Sequence, residues 1–234
     1  EIALHYTKRP RRSSLVLLPP FPLDSRTWAG VRQELADLPV ITVDPPGFGA
    51  SASPEDLARA LGEPEEPSLS TYAKGVAAAL ERIGVEQIVL AGVSIGGYSA
   101  MAFAELFPER LLGLGLLDTN ADSDTDERRA DRLGMAEAVE RGESPADLLA
   151  STIPSMVSPV TPAERPELHA ELQEWYAQAP AAGVAWSQRA MAARPARLEV
   201  LRSLGIPALV VRGADDAVST AEAADAMAEA LSTE

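Results

Sequence analysis

Hydrophobic positions along the chain fall into two alternating patterns. Short, nearly unbroken apolar runs occur at Ser14–Leu18 (SLVLL), Val40–Asp44 (VITVD), Gln87–Gly92 (QIVLAG), Leu111–Asp118 (LLGLGLLD) and Pro207–Gly213 (PALVVRG). A strand that is apolar at successive positions has both faces covered, the mark of a buried parallel sheet. Between these runs lie segments with helical spacing: Thr27–Asp37, Ser70–Ile83, Gly97–Phe107 and Ser219–Leu231. The last opens with Ser219 and Glu222 at capping-box spacing. Strand then helix, repeated, predicts an α/β fold, a mostly parallel sheet flanked by helices and joined by right-handed crossovers. The first residues, EIALHYT, read as an edge strand with His5 as a polar edge residue.

One interval breaks the alternation. From about Asn120 to Pro195 no strand pattern occurs. The interval opens with the charged run DSDTDERRADR and continues through helical patterns punctuated by Pro154, Pro159, Pro162 and Pro166. This predicts a helical insertion over residues 120–195, set in a core formed by 1–119 and 196–234.

Composition narrows the function classes. With 46% hydrophobic and 24% charged residues in 234 positions, the chain can bury a core and is not a disordered segment. A formal net charge of −15 argues against nucleic acid and against anionic membrane surfaces, both of which need basic patches. A small-molecule substrate is the partner expected. The absence of cysteine excludes disulfides and thiolate metal sites and fits a cytoplasmic protein. Two histidines, His5 and His169, leave a zinc site little to work with, so no metal or cofactor is expected. No apolar run reaches the ~18 residues of a membrane span, and the first residues lack a signal peptide's apolar core. Oligomeric state leaves no trace in the pattern.

The chemistry concentrates at VLAGVSIGGYSA, Val89–Ala100. Gly92-Val93-Ser94-Ile95-Gly96 fits G-x-S-x-G between a predicted strand and a predicted helix. There a serine sits on a strained turn, and the glycines two positions away avoid collision with it. A G-x-G-x-x-G dinucleotide loop is excluded, since Ser94 stands where a glycine is required.

Four stretches together resemble the α/β-hydrolase superfamily, close to its bacterial enol-lactonase, carboxylesterase and non-haem haloperoxidase branch. They are LLPPFPLDSRTW (Leu17–Trp28), DPPGFGAS (Asp44–Ser51), GVSIGGYSAMAFAELFPERLLGLGLLDT (Gly92–Thr119) and VRGADDAVS (Arg212–Ser219). The resemblance implies an α/β-hydrolase fold with a helical cap insertion, and it implies site roles. Ser94 is the expected nucleophile. The backbone N–H groups of Ile95 and Phe21 are the expected oxyanion donors, although Pro19-Pro20 stands where relatives have His-Gly. Asp216, three residues after Gly213, is the expected acid, with Asp118 as an alternative position; Asp215 is the neighbour to be told apart. DPPGFGAS is expected to shape the rim. Met156, Trp175, Tyr176, Trp186 and Met191 of the insertion, with Tyr98, are candidates for the substrate pocket, although aromatic and Met residues at helical spacing also serve simply to pack helices together.

The chain order Ser…Asp…His requires a histidine after Asp216, and none occurs up to Glu234. Three accounts remain open. The histidine lies on a strand and helix beyond Glu234, the protein is a non-catalytic binding relative, or one of the two histidines is recruited. The first is the expectation, because a sheet ending at Pro207–Gly213 would expose an apolar edge. The expected activity is hydrolysis of an ester or lactone of a small, largely apolar substrate. Carbon–carbon bond hydrolysis on the same scaffold is the alternative.

Overall fold

A computed structural model describes residues 1–232. Six strands form one sheet: β1 (Leu4–Tyr6), β2 (Ser13–Leu18), β3 (Val40–Val43), β4 (Gln87–Val93), β5 (Leu111–Leu117) and β6 (Ala208–Val211). Their order across the sheet is β1-β3-β2-β4-β5-β6. All neighbours are parallel except β1, which runs antiparallel to β3 with His5 opposite Thr42. The five apolar runs are thus the five parallel strands, and EIALHYT forms the edge strand.

Helices cover both faces. On one, α3 (Leu69–Arg82) and α4 (Ile95–Leu106) bring Tyr72, Val76, Leu80, Met101 and Phe103 against Val16, Ile41, Ile88, Leu90, Leu114 and Leu116. Each such fully buried large apolar side chain contributes about 1.5–3 kcal/mol of transfer free energy. On the other face Trp28, just before α1 (Ala29–Glu34), packs with Leu17 and Val40. Besides a short helix at Leu198–Arg202, the sequence reading lacks α2 (Pro54–Leu61), with Ser53 as N-cap and Gly62 closing it in the left-handed region at φ 66°. Its start at a proline after a loop signal hid it.

Asp44, at the end of β3, is 2% exposed and ties three segments together. It accepts hydrogen bonds from Ser25 N (3.0 Å) and Ala50 N (2.8 Å), and its Oδ2 lies 2.7 Å from His5 Nε2. The loop 45–51 is therefore anchored to the sheet border, and its Phe48 is packed inside.

From Asn120 to Pro207 no strand is present among the described residues. The interval holds α5 (Asp126–Glu140), α6 (Pro145–Ala150), α7 (Thr161–Glu164), α8 (Pro166–Ala177), α9 (Ala181–Ala192) and α10 (Leu198–Arg202). Ala136, Val139, Leu149, Ile153, Tyr176 and Val184 from this interval form a second apolar cluster with Leu23 and Phe48 of the sheet loops. The last helix, α11 (Ala221–Leu231), is capped by Thr220, whose hydroxyl accepts from Ala223 N, rather than by Ser219, which is buried just outside it. The N-cap is therefore one residue later than expected, and with Ala223 at the third helical position the capping box does not form. The border strand β6 carries Leu209 and Val211 in the open, at 61% and 41% exposure.

Candidate active site

The carboxyl ends of β2, β4, β5 and β6 are adjacent in the sheet, and residues just beyond them converge. In open α/β sheets this crevice is where ligands bind. Ser94 occupies the single position between β4 and α4, with φ 53° and ψ −117°. Left-handed φ in a non-glycine residue costs about 1–3 kcal/mol and persists only where the surroundings enforce it. Here they do. Ser94 N donates to Leu117 O (3.0 Å), and Thr119 Oγ1 donates to Ser94 O (2.9 Å). The flanking glycines are required by space. A Cβ on Gly92 would lie 2.2 Å from the Gly96 carbonyl, and one on Gly96 would lie 2.4 Å from Leu18 O. Ser94 is half-buried, and its hydroxyl has no hydrogen-bond partner among the described residues.

Two amides stand near by. Ile95 N is in the first turn of α4, where backbone N–H groups have no partner within the helix. Phe21 lies on the turn after β2, and Leu23 N closes that turn by donating to Pro20 O. Among the described residues neither Phe21 N nor Ile95 N is taken by a carbonyl or side chain.

Two carboxylates, just beyond β5 and β6, border the same cavity as the serine. Asp118 follows β5 at φ 42°, donates its N–H to Val211 O (2.9 Å) and accepts from Gly213 N (2.7 Å). Asp216 accepts from Val218 N (2.7 Å) and Ser219 N (3.2 Å) on Oδ1, while its buried Oδ2 has no partner among the described residues. Their acidities diverge. Burial, reinforced by the neighbouring Asp216 charge, raises the Asp118 pKa against the pull of the Gly213 N–H. For Asp216 burial is also the largest single influence, but the opposing hydrogen bonds, led by Val218 N–H, together outweigh it and lower the pKa. Of the two, Asp216 is the stronger acid. Asp215 is exposed and accepts the Ser158 hydroxyl at 2.6 Å.

Ser94 lies where two cavities meet. One, of about 370 Å³, is bounded by Phe21, Leu23, Asp118, Met156, Leu172, Tyr176 and Asp216. The other, of about 260 Å³, runs past Tyr98 towards α5 and Met191. Phe21, Met156 and Tyr176 border both. A larger cavity of about 500 Å³ contains neither Ser94 nor Asp216 and opens beside His5, Asp24 and Trp175. The strained serine and the carboxylate with an orphaned oxygen both border the 370 Å³ cavity.

Of the sequence-derived site residues, Ser94, Asp216, Phe21, Met156 and Tyr98 border these two cavities, and Ile95 directly follows the serine. Two tryptophans are elsewhere. Trp175 faces the larger, separate cavity with the Arg26 guanidinium 5.5 Å from its ring, because it lies about 100° round α8 from Tyr176, the residue that does face Ser94. Trp186 is 6% exposed and packs into the main core from α9. Neither histidine is near the serine. His5 is held by Asp44 at the β1 border, and His169 borders a separate cavity with Ala146 and Pro154. The sequence reading missed Arg128, Asp131 and Arg132. They fall with Met135 on one face of α5, at i, i+3, i+4 and i+7, and all four border the second cavity. No group of three or more His, Asp or Glu side chains placed to hold a metal ion occurs among the described residues.

Known proteins share this fold. Residues 14–234 match the family model of the alpha/beta hydrolase fold. The chain belongs to that family. It is 30% identical to 3-oxoadipate enol-lactonase 2 of Acinetobacter baylyi over 181 residues, 77% of this chain and 62% of that protein. The chain thus spans less than two thirds of that curated relative. Among solved structures, a thermophilic esterase from Thermogutta terrifontis, determined with malate bound, superposes with a TM-score of 0.88. It is 34% identical, over 98% of this chain and 81% of the esterase. The enol-lactonase of Burkholderia xenovorans LB400 shares the fold at 21% identity, with a TM-score of 0.81 over 97% of this chain and 84% of its own. No helix among the described residues is long and apolar enough to cross a membrane.

Proposed function

We propose that this protein is a serine hydrolase that cleaves an ester or lactone of a small, largely apolar substrate through an acyl-enzyme on Ser94. The support is one juxtaposition. A serine held at positive φ, two untaken amides, Phe21 N and Ile95 N, and an anionic carboxylate with an unpartnered oxygen are gathered at the carboxyl ends of adjacent strands.

In this mechanism Ser94 Oγ attacks the carbonyl carbon while a base takes its proton. The tetrahedral oxyanion is held by the N–H groups of Ile95 and Phe21, each such donor contributing about 3–4 kcal/mol at the transition state. The leaving alkoxide departs with the proton, and water then attacks the acyl-serine by the reverse route. Asp216 orients the base and stabilises its cationic form. Neither His5, held by Asp44, nor His169, which borders a separate cavity, is placed to be that base, and Asp216 Oδ2 has a position open for an imidazole N–H. The helices of residues 120–195 act as a cap, with Tyr176 and Met156 excluding water from the reacting carbonyl. The lack of cysteine suits a cytoplasmic setting.

The test is hydrolysis of p-nitrophenyl butyrate and γ-butyrolactone by the complete gene product. Ser94→Ala is expected to lower kcat by at least about 10⁴-fold with the protein still folded. Retention of the wild-type rate in Ser94→Ala overturns the mechanism.

A further inference from the structure

We infer that the cavity running from Ser94 to α5 receives a carboxylate, so that the substrate is an ester or lactone bearing an anionic group at the end of its acyl chain. This rests on the serine-hydrolase reading and specifies its substrate class.

The charge around this cavity is opposite in sign to the protein as a whole. The chain carries −15, yet guanidinium groups cluster here. Arg128 and Arg132 border the cavity, and Arg194 lies behind it, 4.1 Å from the ring of Tyr98, which is itself part of the wall. Arg132 Nε is 2.6 Å from Asp124 Oδ2, and Arg194 Nη1 is 2.7 Å from Asp124 Oδ1. Two guanidiniums therefore share one carboxylate, whose side chain is fully buried. Arg128 has no carboxylate partner among the described residues, although its neighbour Arg129 pairs with Asp126. The one other carboxylate on this wall, Asp131, is exposed to solvent, while Arg128 is half-buried. Three guanidiniums against two carboxylates leave one positive charge, centred on an unpaired Arg128. Removing a charge from water is costly unless a partner is supplied, and a guanidinium presents a planar fork that matches a carboxylate's two oxygens. Gln188 and Thr152 on the same wall add neutral hydrogen-bonding groups.

The two arms of the site differ in sign, and that sets the direction of binding. Asp118, Asp215 and Asp216 border the other cavity, which disfavours an anion there. The carboxylate end of the acyl chain points to Arg128, the scissile carbonyl lies at Ser94, and the alcohol portion leaves past Asp118. The apolar stretch between is met by Phe21, Met135 and Met156.

Binding is measured on the Ser94→Ala form of the complete protein, where turnover does not intervene. Isothermal titration with monomethyl glutarate is compared with methyl valerate, the same ester with a methyl group in place of the carboxylate. Monomethyl glutarate is expected to bind tighter by about 10- to 100-fold. That preference is expected to collapse in Arg128→Gln, to return in part in Arg128→Lys and to weaken with added salt. Equal affinity for the two esters, no detectable binding of monomethyl glutarate, or a preference unchanged in Arg128→Gln overturns the inference. A failed Ser94 mechanism would show separately, as p-nitrophenyl ester hydrolysis indifferent to Ser94→Ala, whatever the titrations give.

Discussion

Replacing Ser94 by glycine removes a strained backbone as well as a hydroxyl, and the two effects separate when Ser94→Ala is the reference. Alanine keeps a Cβ at φ 53°, ψ −117°, so it keeps the strain that serine bears. Glycine occupies that region without a steric penalty. The strain relieved is about 1–3 kcal/mol. Against it stands the extra freedom of glycine in the unfolded chain, about 0.5–1 kcal/mol. Glycine is therefore expected to exceed alanine in stability by about 0.5–2 kcal/mol. For a chain of this size a kilocalorie shifts Tm by about 2–4 °C, so the expected difference is about 1–8 °C. Differential scanning calorimetry of the two variants measures it, with both proteins inactive against p-nitrophenyl esters. A Tm for Ser94→Gly equal to or below that of Ser94→Ala refutes the claim that the turn is held against its own preference.

Two further outcomes follow from the charged groups. Asp124→Asn leaves the guanidiniums of Arg132 and Arg194 without their shared carboxylate, and removing one member of a buried ion pair costs about 3–5 kcal/mol, so thermal unfolding is expected about 6–20 °C lower; an unchanged Tm contradicts the assigned cluster. Asp118 and Asp216 shift in opposite directions, and so do their contributions with pH. The lowered pKa of Asp216 gives stability that is present above its ordinary value of 3.8 and is lost as pH falls through the folded value, so Asp216→Asn is destabilised at pH 7 and its deficit narrows below that point. The raised pKa of Asp118 favours the fold most below 3.8 and is lost as pH rises through the folded value, so Asp118→Asn gains on the wild type towards neutrality. Denaturant titrations of the three proteins between pH 3 and pH 7 check both signs.

The parallel sheet and the serine turn were legible because each rests on local pattern. Continuous apolar runs have one explanation in a chain of this length, and a serine between glycines at a strand-to-helix junction has few others. Asp216 was separated from Asp215 by family spacing, and the structure supplies a physical difference: one has backbone N–H donors and an orphaned oxygen, the other is exposed and bonded to the Ser158 hydroxyl. What the residues did not disclose was which way the helices of 120–195 turn. Trp175 and Tyr176 are adjacent in sequence, yet they border different cavities, because the rotation of α8 is set by packing against Leu23 and Phe48 from distant loops. Trp186 was assigned to the pocket on its type, whereas α9 presses it into the core. DERRADR read only as part of the charged run that opens the insertion, and its helical phase is what places Arg128 and Arg132 on one side.

The anchoring of Asp44 has an effect at a distance. The loop it secures carries Phe48, and a Cβ on Gly183 of α9 would lie 2.7 Å from that ring, so helix and loop meet at backbone range. The α9 helix, which borders one of the serine's cavities, is thus held from the opposite margin of the sheet through a close contact. Changes at His5, remote from any reacting atom, would register as an altered range of accepted esters before they registered as unfolding.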